Sequence, residues 1–251
     1  VLQGKSDLKL LNTINEKIDL LEKIGIENLI IHPFDESFAQ LSAEEFVKTV
    51  LVNQLHIQKI IIGYDHRFGK NRTANIDDLS AFGLKYGFEV EQISAQEINE
   101  ISISSTKIRS ALESGNILLA NEYLGYSYFL SGTVVKGKQL GRTIGFPTAN
   151  IDLEEAYKLV PKNGVYVVAA EIDGKTVFGM MNIGFNPTVQ GQNRTIEVHF
   201  FDFDSDIYDR QIRVAVLQRI RSEEKFGSVE LLTNQLKKDR DFSKNYLQNL
   251  K

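Results

Sequence analysis

The spacing of apolar positions along the chain changes once, and the change divides it. Over residues 12–24, Ile14, Ile18, Leu21 and Ile24 recur at helical spacing behind a cap at Asn12 or Thr13, and Gly25 ends the run. "NLIIHPF" reads as a short buried strand stopped by Pro33. "SAEEFVKTVLVNQL" reads as a helix opened by Ser42, with Glu45 three residues on completing a capping box. "QKIIIGYD" is the next buried strand, "NIDDLSAFGLKYG" a helix and "FEVEQIS" a strand; "SISSTKIRSALESGNILLANEYLG" closes this half as one or two helices. Strands alternating with helices predict a parallel α/β sheet. From Tyr128 onward "YFLSGTVVKG", "GVYVVAAEIDGKTVFGMMNIG", "TIEVHFFDF" and "QIRVAVLQRIR" read as strands separated by turns, with Asp173-Gly174 as a hairpin signal. They predict an all-β unit, a barrel or a sandwich. A last helix, "SVELLTNQLKKDRDFSKNYLQNL", has Ser228 as its cap and Val229, Leu232 and Leu236 on one face. The boundary falls near Gly125–Tyr128, giving domains at 1–125 and 126–251.

Composition narrows the chemistry. The 251 residues carry a net charge of −4 and a pI of about 5.7, which speaks against a nucleic-acid partner and leaves room for a small anionic ligand. The absence of cysteine excludes disulfides, thiolate metal sites and a cysteine nucleophile. His32, His56, His66 and His199 show no HxxxH spacing, so no zinc site is expected. No apolar run approaches the ~18 residues of a membrane span and no signal peptide is visible, so a cytoplasmic protein without a membrane partner is expected. The chain starts at Val1, and "VLQGKSDLKL" does not read as the start of a fold, so a missing N-terminal segment is expected. Nothing in the sequence marks the oligomeric state.

Three stretches could carry chemistry. In "VVKGKQLGRTIGFPTAN", Gly137, Gly141 and Gly145 lie beside Lys136, Lys138 and Arg142, which suits a phosphate. A P-loop match fails at Gln139, where a hydroxyl should meet Mg²⁺, and in context, because Thr133-Val134-Val135 reads as strand and no helix is expected to follow. The loop is either a phosphate-facing flap or a plain surface turn. Pro147 stiffens its end, and Thr148 and Asn150, two residues apart in an extended chain, present oxygens to one face. That pair suits Mg²⁺, which takes few protein ligands and keeps waters; a plain turn is the alternative. In "TIEVHFFDF", alternation puts Ile196, Val198 and Phe200 on one face and Glu197, His199 and Phe201 on the other. Glu197 is either a general base or a solvated carboxylate paired with a lysine, and His199 a packing or hydrogen-bonding residue. In "ISSTKIRSAL", Ser104 or Ser105 caps a helix whose free N–H groups, with Arg109 one turn in, suit an anion. The loop "IIIGYDHRFGKNRTA" follows a strand end at Gly63 and holds Asp65, His66, Arg67, Lys70 and Arg72, where α/β sheets bind ligands. Together these two loops point to a nucleotide site.

In order, "LGRTIGFPTAN", "NGVYVV", "MNIGFNPTV", "IEVHFFDF" and "RIRSEEKFGSVELLTNQLKKD" closely resemble the riboflavin kinase module. "GYDHRFGK" and "ISSTKIR" resemble the adenylyltransferase module of the prokaryotic bifunctional riboflavin kinase/FAD synthetases. The resemblance covers nearly the whole chain. It implies α/β plus all-β architecture: an incomplete Rossmann-like nucleotidyltransferase domain, then a riboflavin-kinase-type β-barrel with a C-terminal helix. It implies two reactions, riboflavin plus ATP to FMN on the barrel and FMN plus ATP to FAD on the N-terminal half. Carried over by position, Thr148 and Asn150 would meet Mg²⁺ and the ATP phosphates, and Gly137, Lys138, Gly141, Arg142 and Thr143 would form the loop over them. Glu197 would take the proton of the ribityl 5′-hydroxyl. Ser104, Ser105, Thr106 and Arg109 would hold the second ATP, and Gly63, Asp65, Arg67 and Gly69 would lie near nucleotide or flavin. His66 stands where the family commonly has Phe.

One departure is large. The family's adenylyltransferase site is led by a GxFDGxHxGH-type motif, and no HxGH occurs here. The first strand and helix of the nucleotide fold, about 30 residues for such a unit, are absent too. FAD synthetase activity is therefore expected to be lost or weak in this chain. Two rival readings stand beside the enzyme: a flavin or nucleotide sensor without catalysis, against which Thr148, Asn150 and Glu197 speak, and a P-loop NTPase.

Overall fold

The computed structural model describes residues 8–94, 97–98, 101–137, 139–188 and 191–250, and Lys138 lies outside the described residues. Two compact units are present, one holding Ile26–Ile103 and the other holding Leu8–Gly25 and the chain from Ser104 onward. The packing units therefore do not follow a single cut near residue 125.

The first helix, α1 (Ile14–Lys23), forms as its capping box requires. Thr13 accepts from the Glu16 N–H and the Glu16 carboxylate accepts from the Thr13 N–H. It belongs to the barrel unit, not to the α/β half in which the sequence placed it. Its most buried side chain is not one of the predicted apolar positions. Ile14 and Ile24 are exposed, while Glu16 is 2 % exposed and sits 2.6 Å from the Lys158 ammonium.

In the α/β unit, α2 (Glu36–Ala39) and α3 (Ala43–Phe46) follow Asp35 and Ser42 caps, and α3 continues as a π-helical stretch, Val47–Gln54. Its wider turn shows in the Leu55 N–H donating to the carbonyl of Val50, five residues back. Then come β1 (Lys59–Gly63), α4 (Ile76–Tyr86) and β2 (Glu89–Ile93). β1 and β2 pair in parallel, as expected, with Ile61 opposite Glu91. A core of Val47, Leu51, Ile62, Phe68, Leu79 and Phe88 holds the unit together. The strand predicted over "NLIIHPF" is absent. Residues 29–34 pair with no strand among the described residues, and Leu29, Ile30 and Ile31 are exposed. An extended run becomes a strand only where a neighbour accepts its ladder bonds. β3 (Glu97–Ile98) and β4 (Ile101–Ser102) form a short antiparallel pair.

The second unit begins with α5 (Ser105–Ser114) and α6 (Ile117–Leu124), and α6 is tied on by Asn121, whose amide donates to Val216 O and whose carbonyl accepts from the Tyr128 N–H. Then β5 (Phe129–Val135), the one-turn α7 (Leu140–Thr143), β6 (Ala149–Leu153), β7 (Gly164–Ile172), β8 (Lys175–Thr188), β9 (Gly191–Phe200) and β10 (Gln211–Arg221) follow. The strands close into an antiparallel barrel in the order β10-β5-β6-β9-β8-β7. Alternation fills it: Ile212, Val214 and Val216 from β10 and Ile196, Val198 and Phe200 from β9 are all buried. The β7–β8 hairpin turns at Asp173-Gly174, both at positive φ, as predicted. α8 (Val229–Gln248) is capped by Ser228, as expected, but Val229 is exposed and its most buried positions are Asp239 and Ser243. Asp239 is buried because Arg221 of β10 meets its carboxylate at 2.7 Å.

Candidate active sites

The kinase-like residues converge on one seam of the barrel. β6 and β9 are joined by Ala149 opposite Val198 and Asn150 opposite Glu197. Directly opposed residues point to the same side, so Asn150 and Glu197 share a face. Thr148 lies on it too, its Oγ1 3.4 Å from a Glu197 carboxylate oxygen, at the outer limit of a hydrogen bond. On the other flank Asn182 of β8 lies opposite Glu197.

The glycine loop closes tightly over this seam. A Cβ on Gly137 would stand 2.1 Å from the Asn150 amide nitrogen, so any larger residue there would push that amide aside. The turn 141–146 is closed by the Phe146 N–H donating to Gly141 O at 2.8 Å. α7 corrects one expectation, since a helical turn does follow the loop. It has four residues, and its Thr143 hydroxyl is turned back to Leu140 O. β5 occupies Thr133–Val135 as expected. A cavity of about 400 Å³ opens beside Thr148, lined among others by Arg142, Val198, Phe200, Asp206 and Tyr208.

His199 lies beside this site. Its Nδ1 is 2.8 Å from Pro147 O, and because a carbonyl only accepts, the ring carries its proton there. Burial holds His199 below its ordinary value of 6.5, with the Pro147 bond opposing. A cluster of Phe146, Met180 and Phe201, backed by Ile220 and by Leu236 and Leu247 of α8, lies underneath.

The adenylyltransferase-like residues fall in both units. In the α/β unit β1 ends at Gly63, and Asp65, His66 and Arg67 follow as exposed side chains. Phe68 is buried, and Gly69 sits at φ +73, where an added Cβ would lie 2.7 Å from the Ala43 nitrogen. Only glycine fits there, which pins the loop to the start of α3. In the barrel unit Ser104 is the cap of α5, accepting from the Lys107 N–H, while Ser105 and Thr106 stand in its exposed first turn. Arg109 donates to Ser105 Oγ and to Lys9 O.

Sequence reasoning missed Asn182 and the acidic, aromatic loop 203–208. The run "DFDSDIYD" after a strand carried a signal for the loop; Asn182 became visible only through register.

The riboflavin kinase family model matches residues 124–247 and the FAD synthetase family model residues 1–107. The bifunctional riboflavin kinase/FMN adenylyltransferase of Bacillus subtilis (strain 168) is 38% identical over 99% of this chain and 79% of its own length. The chain belongs to this family. A Buchnera aphidicola relative of the same name is 40% identical over 98% of this chain and 79% of its own. A solved structure titled a macrolide-efflux protein from Streptococcus pneumoniae superposes with a TM-score of 0.87 at 35% identity, covering 97% of this chain and 79% of that one. Efflux is said of that protein; among the described residues here no helix is long and apolar enough to cross a membrane.

As a bifunctional riboflavin kinase/FMN adenylyltransferase, the chain is a transferase of flavin biosynthesis, with ATP and flavins as its substrates. The sensor reading is set aside. The expectation of lost adenylylation is not supported either. The FAD synthetase match runs over residues 1–107, and the relatives align over almost the whole chain.

Proposed function

We propose that the domain at 126–251 phosphorylates riboflavin to FMN at the β6–β9 seam, and that the domain at 1–125 adenylylates FMN to FAD. The observation that carries the first half is Thr148 within reach of Glu197 beside Asn150. Glu197 accepts the proton of the ribityl 5′-hydroxyl as that oxygen bonds to the γ-phosphorus and the bond to ADP breaks. Thr148 spends its single hydroxyl proton toward Glu197, which leaves its lone pairs for a cation. Together with the Asn150 amide oxygen they make a small oxygen donor set, the kind Mg²⁺ accepts while keeping waters. Mg²⁺ bound there would neutralise charge on the ATP phosphates. Gly137, Lys138, Gly141, Arg142 and Thr143 form the loop over those phosphates.

For the second reaction, the first-turn N–H groups of α5 with Ser104, Ser105, Thr106 and Arg109 hold the nucleotide phosphates. Gly63, Asp65, Arg67 and Gly69 lie near nucleotide or flavin. ATP as co-substrate suits a cytoplasmic enzyme, and the negative net charge speaks against a nucleic-acid partner.

Two supplied substrates test the allocation. Riboflavin with Mg-ATP should give FMN, and supplied FMN with Mg-ATP should give FAD. Glu197→Gln should lower riboflavin phosphorylation by about 10²-fold or more while leaving FAD formation from supplied FMN intact. Unchanged FMN production would refute the role of Glu197, and parallel loss of both reactions would refute the separation of sites.

A further inference from the structure

The main chain just before β6 lacks the support its neighbours have, and this inference rests on the roles given above to Thr148, Asn150 and Glu197. Antiparallel register runs Asn150–Glu197, then Ala149–Val198, and there the ladder ends. The next step would set Thr148 against His199, on the same face as Glu197. Pro147 has no N–H to give, and its carbonyl lies past the last backbone pair. The His199 side chain supplies the donor instead, Nδ1–H to Pro147 O at 2.8 Å. The ring that makes this bond is itself held. Phe146 meets it edge-on at 5.1 Å and Phe201 at 5.8 Å. Both phenylalanines belong to the buried cluster that packs against Leu236 and Leu247 of α8.

We propose that His199 is a positioning residue of the kinase site, its ring N–H standing in for the missing ladder bond and holding Pro147–Thr148 where the Thr148 hydroxyl reaches Glu197. The ring fixes one backbone carbonyl, and through it the side chain that follows.

Three substitutions in the full chain separate this role from simple packing. His199→Phe keeps a ring among aromatic neighbours and removes the donor. His199→Asn places an amide N–H where Nδ1 stands. His199→Gln places it one bond further out. Positioning predicts that His199→Phe lowers kcat/KM for Mg-ATP about tenfold with the KM for riboflavin unmoved. It predicts that His199→Asn recovers most of the loss and His199→Gln does not. Packing alone predicts the reverse order, Phe best and Asn worst. That order, or wild-type kinetics in His199→Phe, overturns the proposal. If His199→Phe does not fold, the other two decide, and equal loss in Asn and Gln overturns it. Glu197→Gln run alongside keeps the failures apart. Full kinase activity there brings down the reading of the site itself, whereas an inactive Glu197→Gln beside an unimpaired His199→Phe brings down only the role of His199.

Discussion

Ile183 in β8 and Ile61 in β1 are the same side chain on two apolar strands, yet Ile183 is wholly buried and Ile61 is 61 % exposed. The difference lies in what each strand has beside it. β8 pairs with β7 over Lys175–Ile183 and with β9 over Gly179–Thr188, so Ile183 has a neighbour on both sides, inside a sheet that has no edge. β1 has β2 on one side and no second strand among the described residues. Closure gives every strand two neighbours and one interior, so alternation alone decides burial. An open parallel pair depends on its flanks, and the apolar runs of such strands stay exposed where a flank is bare.

Four measurements test that contrast. The largest effect is expected in hydrogen exchange: amides of β7 and β8 should outlast those of β1 and β2 by orders of magnitude, and equal protection would break the comparison. Next comes the buried pair under α1. Burial lowers the Lys158 pKa from its ordinary value, opposed by Glu16, and Glu16→Ala would leave an uncompensated buried cation. Its cost should be about 3–5 kcal/mol, read in the unfolding of the barrel unit. Glu16→Ala with Lys158→Met should recover much of it. No change in either variant would remove α1 from the barrel unit. Ile183→Ala should then cost about 2–5 kcal/mol and Ile61→Ala about 0.5 kcal/mol or less; similar costs would break the contrast between the two strands.

The smallest effect is on acidification. Asp35 is held below its ordinary 3.8 first by the Phe38 N–H. Glu44 is held below its ordinary 4.5 first by Lys85, and Glu45 below the same value first by Ser42. All three lie in the α/β unit. A carboxyl lowered by folding contributes stability that is full above its unfolded value and fades as pH falls through the folded one. The barrel has Asp173, lowered first by Arg210. Melting of the α/β unit should therefore be level from neutrality down to about pH 4.5 and fall below it, whereas the barrel, where burial also holds His199 below its ordinary 6.5, should begin to weaken as pH falls through about 6.5. An α/β unit that weakens first would reverse the order.

These contrasts also explain what the sequence disclosed. The barrel was legible because its strands alternate, its hairpin is marked by Asp173-Gly174, and closure needs no partner outside the run. The Thr148, Asn150 and Glu197 side was legible by alternation and by resemblance. What escaped were pairings between distant positions. Glu16 and Asp239 both occupy the buried stripe of an amphipathic helix, and helical spacing from Leu232 and Leu236 does reach Asp239. Nothing local says that Lys158 or Arg221 waits opposite. The strand over "NLIIHPF" failed for the converse reason: its apolar run meets no ladder partner among the described residues. His199 as donor to Pro147 needed the register of β6 against β9.

That register has a consequence for how the barrel can change over time. β6 and β9 are stitched by two residue pairs, and one of them is Asn150 with Glu197. The cylinder is thus fastened, at its narrowest join, by the same side-chain positions assigned to phosphoryl transfer. A substitution at 150 or 197 alters the fastening and the chemistry together, so the two properties cannot drift apart there. At Gln211 or Lys175, on broader joins, they can. A lineage that lost the kinase reaction would be free to rewrite that join, and a tighter or looser cylinder would be the trace of it.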